Sequence, residues 1–156
     1  MEHEMPDHAD VKIHPPVLTG LHLLAVYLLV KYSGIPLRAP PALEWLGFAL
    51  VVVGFILAGT AFLQFRKART TVLPHGSVSA IVSSGIFGLT RNPIYLGFLL
   101  MIIGFPLNFN IWWGLVLAPI FIHSANRLVI EHEEAYLEKK FGDEYTRYKR
   151  SVRRWI

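Results

Sequence analysis

The chain has 156 residues, of which 53% are hydrophobic and only 17% charged, with no cysteine. That charged fraction lies below the quarter usual for soluble domains, and a chain of this length cannot hide so much apolar surface in its own core. Disulfide frameworks, thiolate nucleophiles and cysteine-based zinc sites are excluded. The net charge of +4 sits beside apolar stretches, where anionic headgroups and the positive-inside rule account for it better than nucleic acid does. The expected class is an all-α, polytopic integral membrane protein with about four transmembrane helices. It forms a single membrane domain over 1–156.

Met1 to Pro16 carries four acids and one lysine. It lacks the basic start of a cleaved signal, so the first apolar stretch is expected to be retained. That stretch runs from Val17 to Val30 and extends to Tyr32, with His22 as its interior polar group. Gly34, Pro36, Pro40 and Pro41 then mark a turn. Leu43 to Phe65 reads as the clearest span, with Gly47, Gly54 and Gly59 allowing close approach of another helix. Arg66, Lys67 and Arg69 end it. Residues 17–65 therefore supply two N-terminal transmembrane helices, and 66–156 form the second half of the domain.

Thr70 to Asn92 is too polar to span and reads as a surface loop with a short amphipathic piece at Val78 to Val82. Pro93 opens a third helix ending near Leu107, a favoured place for proline because its missing N–H would be unpaired there. Asn108-Phe109-Asn110 turns the chain into a fourth helix, Ile111 to Ile130, in which Pro119 predicts a kink. A charged surface helix follows, broken at Phe141-Gly142-Asp143. Basic residues concentrate after the second helix and from Arg127 onward, while the loop between the first two helices offers only Lys31 and Arg38. By the positive-inside rule both termini and the active site are expected in the cytoplasm.

Two constellations carry possible chemistry. Arg91-Asn92-Pro93-Ile94-Tyr95-Leu96-Gly97 puts a guanidinium, an amide and a phenol at a helix N-terminus, a setting suited to carboxylate or phosphate. Gly97 beside Tyr95 suggests a flat ligand close to the backbone, against the plainer reading of Gly97 and Gly104 as packing residues. His123, Arg127, Glu131, Glu134 and Glu138 recur at helical steps and predict one charged face leaving the bilayer. The plainer reading there is a snorkelling Arg127–Glu131 pair, and for Glu138 it is preferred. Glu131-His132-Glu133-Glu134 lacks the second histidine of a zinc motif, so no metal is expected. His22 reads as an interior hydrogen-bonded residue, and His75 as either a ligand contact or a loop residue.

Arg69-Thr70-Thr71-Val72, Ser84-Gly85-Ile86-Phe87 and Thr90 to Gly97 resemble blocks of the isoprenylcysteine carboxyl methyltransferase family. So do Glu133-Glu134-Ala135-Tyr136-Leu137, Phe141 to Tyr145 and Tyr148 to Val152. The resemblance covers about Arg66 to Ile156 and extends more loosely to phospholipid N-methyltransferases. It implies a small polytopic methyltransferase using S-adenosylmethionine and a lipophilic or prenylated substrate reaching it from membrane lipid. Arg91, Asn92, Pro93, Tyr95, Leu96, Gly97, His123, Glu133 and Glu134 would then bind the cofactor. Arg127 would orient an isoprenylcysteine-type carboxylate and Glu131 would hold Arg127. For an amine acceptor, Glu131 or His123 would take the proton. Gly88 stands where the family often has arginine, a departure that bears on the acceptor more than on the cofactor. The competing readings are a non-catalytic membrane scaffold of the same fold and a sterol-reductase-like enzyme.

Overall fold

The computed structural model describes residues 8–71, 76 and 78–156, and its regular structure is helical. Helix α1 is Pro15–Tyr32, α2 is Glu44–Lys67, α3 is Pro93–Leu107 and α4 is Trp113–Ala125. A π-helical segment, Asn126–Ile130, joins α4 without a break to α5, Glu131–Phe141, and α6 is Asp143–Ser151. Pro15 and Pro93 stand at the first helical positions of α1 and α3, where a fixed φ favours the helix and no intrahelical donor is lost. Gly142, at φ 53°, separates α5 from α6 at the expected break. Residues 78–83 form no helix, against the amphipathic piece expected there. Val72 and His75 lie outside the described residues.

Three helices are long and apolar enough to cross a membrane: Pro15–Tyr32, Pro41–Lys67 and the continuous Trp113–Phe141. Pro93–Leu107 is apolar but shorter. At about 1.5 Å per residue it covers about 22 Å, less than the roughly 30 Å of a bilayer core. Large apolar side chains face outward on three helices, among them Leu24, Phe48, Phe55, Ile56 and Ile120. In water this surface would be a liability, and in lipid it is solvated.

Glycine sets the distance between α2 and α3. A Cβ on Gly97 would lie 2.6 Å from the Gly54 carbonyl oxygen, and one on Gly104 would lie 2.6 Å from that of Gly47. The two backbones therefore touch along nearly all of α3, as small-residue helix pairs do in membranes. Gly97 packs against α2, the plainer of its two readings.

The connections divide into two ends. Residues 33–43 and 108–112 meet through Ala39 N–H to the Asn110 carbonyl (2.8 Å), Trp112 N–H to Leu37 (3.1 Å) and Asn110 Nδ2 to Glu44 Oε1 (2.7 Å). The opposite end carries the start of α1, the end of α2, the start of α3 and the whole chain beyond Ile130. Because α3 is short, its N-terminus is recessed there. The 3₁₀ turn Gly85–Gly88 fills part of the recess, with Phe87 edge-on to Phe65 of α2 at 4.8 Å.

The fourth helix runs unbroken through Pro119, and its regular pattern changes instead at Asn126–Ile130. Each i→i+5 turn takes in one residue more than an α turn, so the faces on either side are offset by roughly 100°. Two distant segments dock on this stretch. Lys12 N–H donates to the Leu128 carbonyl (3.0 Å) and Trp155 Nε1 to Asn126 Oδ1 (3.2 Å).

Gly54→Val is expected to destabilise the protein by about 1–3 kcal/mol or more, because backbone cannot yield as a side chain does. Gly59, on the same helix, has nothing within 4 Å of its virtual Cβ. Gly59→Ala should therefore be neutral or mildly stabilising. Thermal unfolding of the two variants in detergent checks both.

Candidate functional site

The recessed end holds one large cavity of about 450 Å³. Its polar rim begins with Thr90-Arg91-Asn92, whose backbone cannot yet join α3 because Pro93 supplies no N–H. This short segment is tied down from the far end of the chain. Arg91 N–H donates to the Arg153 carbonyl at 3.0 Å. Thr90 Oγ1 and Asn92 Nδ2 both donate to the Arg154 carbonyl, at 3.2 and 3.0 Å. A buried backbone segment outside regular structure needs such partners, since unpaired polar groups cost free energy away from water.

Glu134 is the charged centre of the site and is only 5% exposed. Arg154 grips it with two hydrogen bonds, Nε to Oε1 at 2.9 Å and Nη2 to Oε2 at 2.8 Å. Arg91 Nη1 lies 3.1 Å from Oε1 and Lys149 Nζ 3.5 Å from Oε2. Lys149 also donates to Glu138 at 2.6 Å. The hydrogen bond to Glu134 holds Arg154 even more firmly protonated than usual. Arg91 is different. Its Nε and Nη1 are buried and make no hydrogen bond, so the short approach to Glu134 is a charge contact without aligned donors.

Glu133 has other company. Its Oε1 accepts from the Tyr95 hydroxyl at 2.9 Å, and no lysine or arginine among the described residues pairs with it. The roof is aromatic. Tyr148 donates to the Phe87 carbonyl at 2.7 Å and packs near Tyr145. Burial, reinforced by the nearby Glu134 charge, pushes the Tyr145 phenol up to about 12, and burial likewise pushes Tyr148 up. Both are neutral hydrogen-bonding phenols at any physiological pH. Away from the charges the wall turns apolar, through Phe98 and Ile130 to Pro15 and Val17 at the start of α1.

Of the residues singled out from the sequence, Arg91, Asn92, Pro93, Tyr95, Glu133 and Glu134 line this cavity. Leu96, Gly97, His123, Arg127 and Glu131 do not. Gly97 is spent on α2. His123 is exposed, and Arg127 and Glu131 form a surface pair at 3.1 Å with side chains 65% and 38% exposed. The expected charged stripe assumed unbroken α geometry, and the π segment offsets the face before it from the face after it. Arg154, Lys149 and the stretch from Ala9 to Val17 were missed. Spacing could have put Tyr145 and Tyr148 on one helix face, but no local pattern announces Arg154.

Replacing Glu134 with glutamine leaves three cations around a neutral group, and an uncompensated buried pair of this kind typically costs about 3–5 kcal/mol. Glu131→Gln, on the exposed pair, should cost no more than about 1 kcal/mol. Chemical or thermal unfolding in detergent separates the two.

Comparison with known proteins adds the family. The sequence profile of the phospholipid methyltransferase family matches residues 43–144, from the start of α2 to the start of α6. An uncharacterized protein of Haemophilus influenzae is 47% identical over 66 residues, 40% of this chain and the whole of that protein. No solved structure matches. The profile covers well over half of the chain and takes in both the recessed segment at Arg91 and the Glu133-Glu134 pair: the chain belongs to the phospholipid methyltransferase family of membrane methyltransferases.

Proposed function

We propose that this protein transfers a methyl group from S-adenosylmethionine to an amine-bearing lipid reaching the cavity from the bilayer. The observation that carries the reading is one cavity holding Arg91 with two unsatisfied buried donors and Glu133 with no paired cation, continuous with an apolar wall. The cofactor fits this donor set. Arg91 would take its carboxylate, as guanidinium groups do by charge-assisted hydrogen bonds. The aromatic roof of Phe87, Tyr145 and Tyr148 offers faces and edges for its planar base. When bound, the cofactor supplies a methyl carbon activated by a sulfonium.

The remaining work falls to this chain's residues. An amine is protonated at neutral pH and must lose that proton before its lone pair can attack. Glu133 is the carboxylate placed to accept the proton, with Tyr95 fixing its orientation. For attack on that methyl carbon the site's own residues would contribute mainly alignment and exclusion of water. An isoprenylcysteine-type carboxylate would instead need a cation beyond the one that holds the cofactor. Among the described residues, Arg91 is the only arginine or lysine lining the cavity, and the Arg127 assigned to that task lies on the surface. The basic residues gathered at the cavity end support a cytoplasmic placement of that end.

S-adenosylmethionine should bind the detergent-purified protein saturably, and Arg91→Ala should weaken it at least about tenfold. Glu133→Gln should lower methyl transfer by roughly 10²–10⁴-fold while cofactor affinity stays within about threefold. Labelled cofactor offered to phosphatidylethanolamine and to a farnesylated cysteine analogue decides the acceptor. Label confined to the cysteine analogue would reject the amine reading, and absent cofactor binding would reject methyl transfer altogether.

A further inference from the structure

Arg154 lies outside the segment matched to the family, and no sequence pattern marks it, yet it reaches Glu134, the buried acid at the centre of the site. Resting on the methyltransferase reading above, we propose that Arg154 is a positioning residue that keeps the Arg91 guanidinium from closing on Glu134 and leaves it open toward the cofactor's carboxylate. Three cations, Arg91, Lys149 and Arg154, converge on two carboxylates, Glu134 and Glu138. The neighbouring Glu133 takes its hydrogen bond from the Tyr95 phenol instead.

Arg154 makes two hydrogen bonds to Glu134 with one guanidinium, occupying an oxygen with each. Lys149 is drawn toward Glu138, at 2.6 Å against 3.5 Å for Glu134. Arg91 is left with a contact to Glu134 but with Nε and Nη1 unbonded. A fork already filled by Arg154 cannot also accept a bidentate grip from Arg91. The same tail holds this segment in place: the Arg153 carbonyl accepts from the Arg91 N–H and the Arg154 carbonyl from the Thr90 and Asn92 side chains. The Arg154 side chain therefore occupies the acceptor that Arg91 would otherwise turn to.

Without Arg154 the acids outnumber the cations around Glu134, and both Glu134 oxygens are open to Arg91. The guanidinium would turn to Glu134, and its donors would be lost to a ligand. This predicts a defect confined to the ligand's carboxylate, which a general loosening of the site would not produce.

The test compares binding of S-adenosylmethionine with binding of its decarboxylated analogue, by calorimetry on the full chain in detergent. The wild-type protein should favour the carboxylate-bearing form by at least about tenfold. Arg154→Gln should bring that ratio close to one while the decarboxylated analogue binds within about threefold of wild type. Arg154→Lys, which keeps the charge, should retain most of the preference even if it lowers stability. Equal weakening of both ligands in Arg154→Gln, or an unchanged ratio, would overturn the proposal. Should Arg154→Gln not fold, loss of the preference in Arg154→Lys would overturn it as well. A wild-type protein that binds neither ligand would instead sink the methyltransferase reading itself.

Discussion

A carboxylate held at 5% exposure beside a bilayer must find cations or give up its charge, and Glu134 finds three. They come from three places: Arg91 just before α3, Lys149 on α6 and Arg154 in the tail. Each arrives from a segment that could otherwise drift along the membrane surface. Satisfying one buried charge therefore draws the loop before α3, the last helix and the tail onto α5. The cavity is what remains between them. Remove that charge and the segments lose their common reason to converge.

The depth of the site has a different origin. Gly47, Gly54, Gly97 and Gly104 bring α2 and α3 to backbone contact, and this pins the short α3 against the first part of the longer α2. The N-terminus of α3 is then recessed below the last turns of α2. Arg91 and Asn92 therefore line a cavity whose wall continues into apolar side chains. The start of α1, outside the family-matched segment, closes the apolar side of the cavity with Pro15 and Val17.

Neighbouring acids do different work because their partners differ. Glu134 is gripped by cations, whereas Glu133, lining the same cavity, has a phenol for a partner. Adjacent on one helix, they diverge because consecutive residues point about 100° apart. The sequence motif had grouped them as equal cofactor ligands. The same separation applies to Arg91 and Arg127, one buried with open donors and the other paired with Glu131 at the surface.

What the amino-acid order determined by itself is what depends on local chemistry and on solvent. Uncharged runs too apolar for water required lipid, Pro93 and Gly142 set helix boundaries through their backbone constraints, and basic residues gathered at one end. The segments around Arg91 and Glu133-Glu134 were legible because their residue types are unusual beside a membrane. Tertiary structure alone decided which face of each helix turns inward. Within α5 Glu131 and Glu134 stand about 60° apart, which leaves Glu131 paired with Arg127 at the surface while Glu134 turns inward. Close packing spent Gly97 on a neighbouring helix. Arg154 reached Glu134 across 20 residues through α6 and a turn, a pairing that no periodicity encodes, because it follows from where the chain folds back.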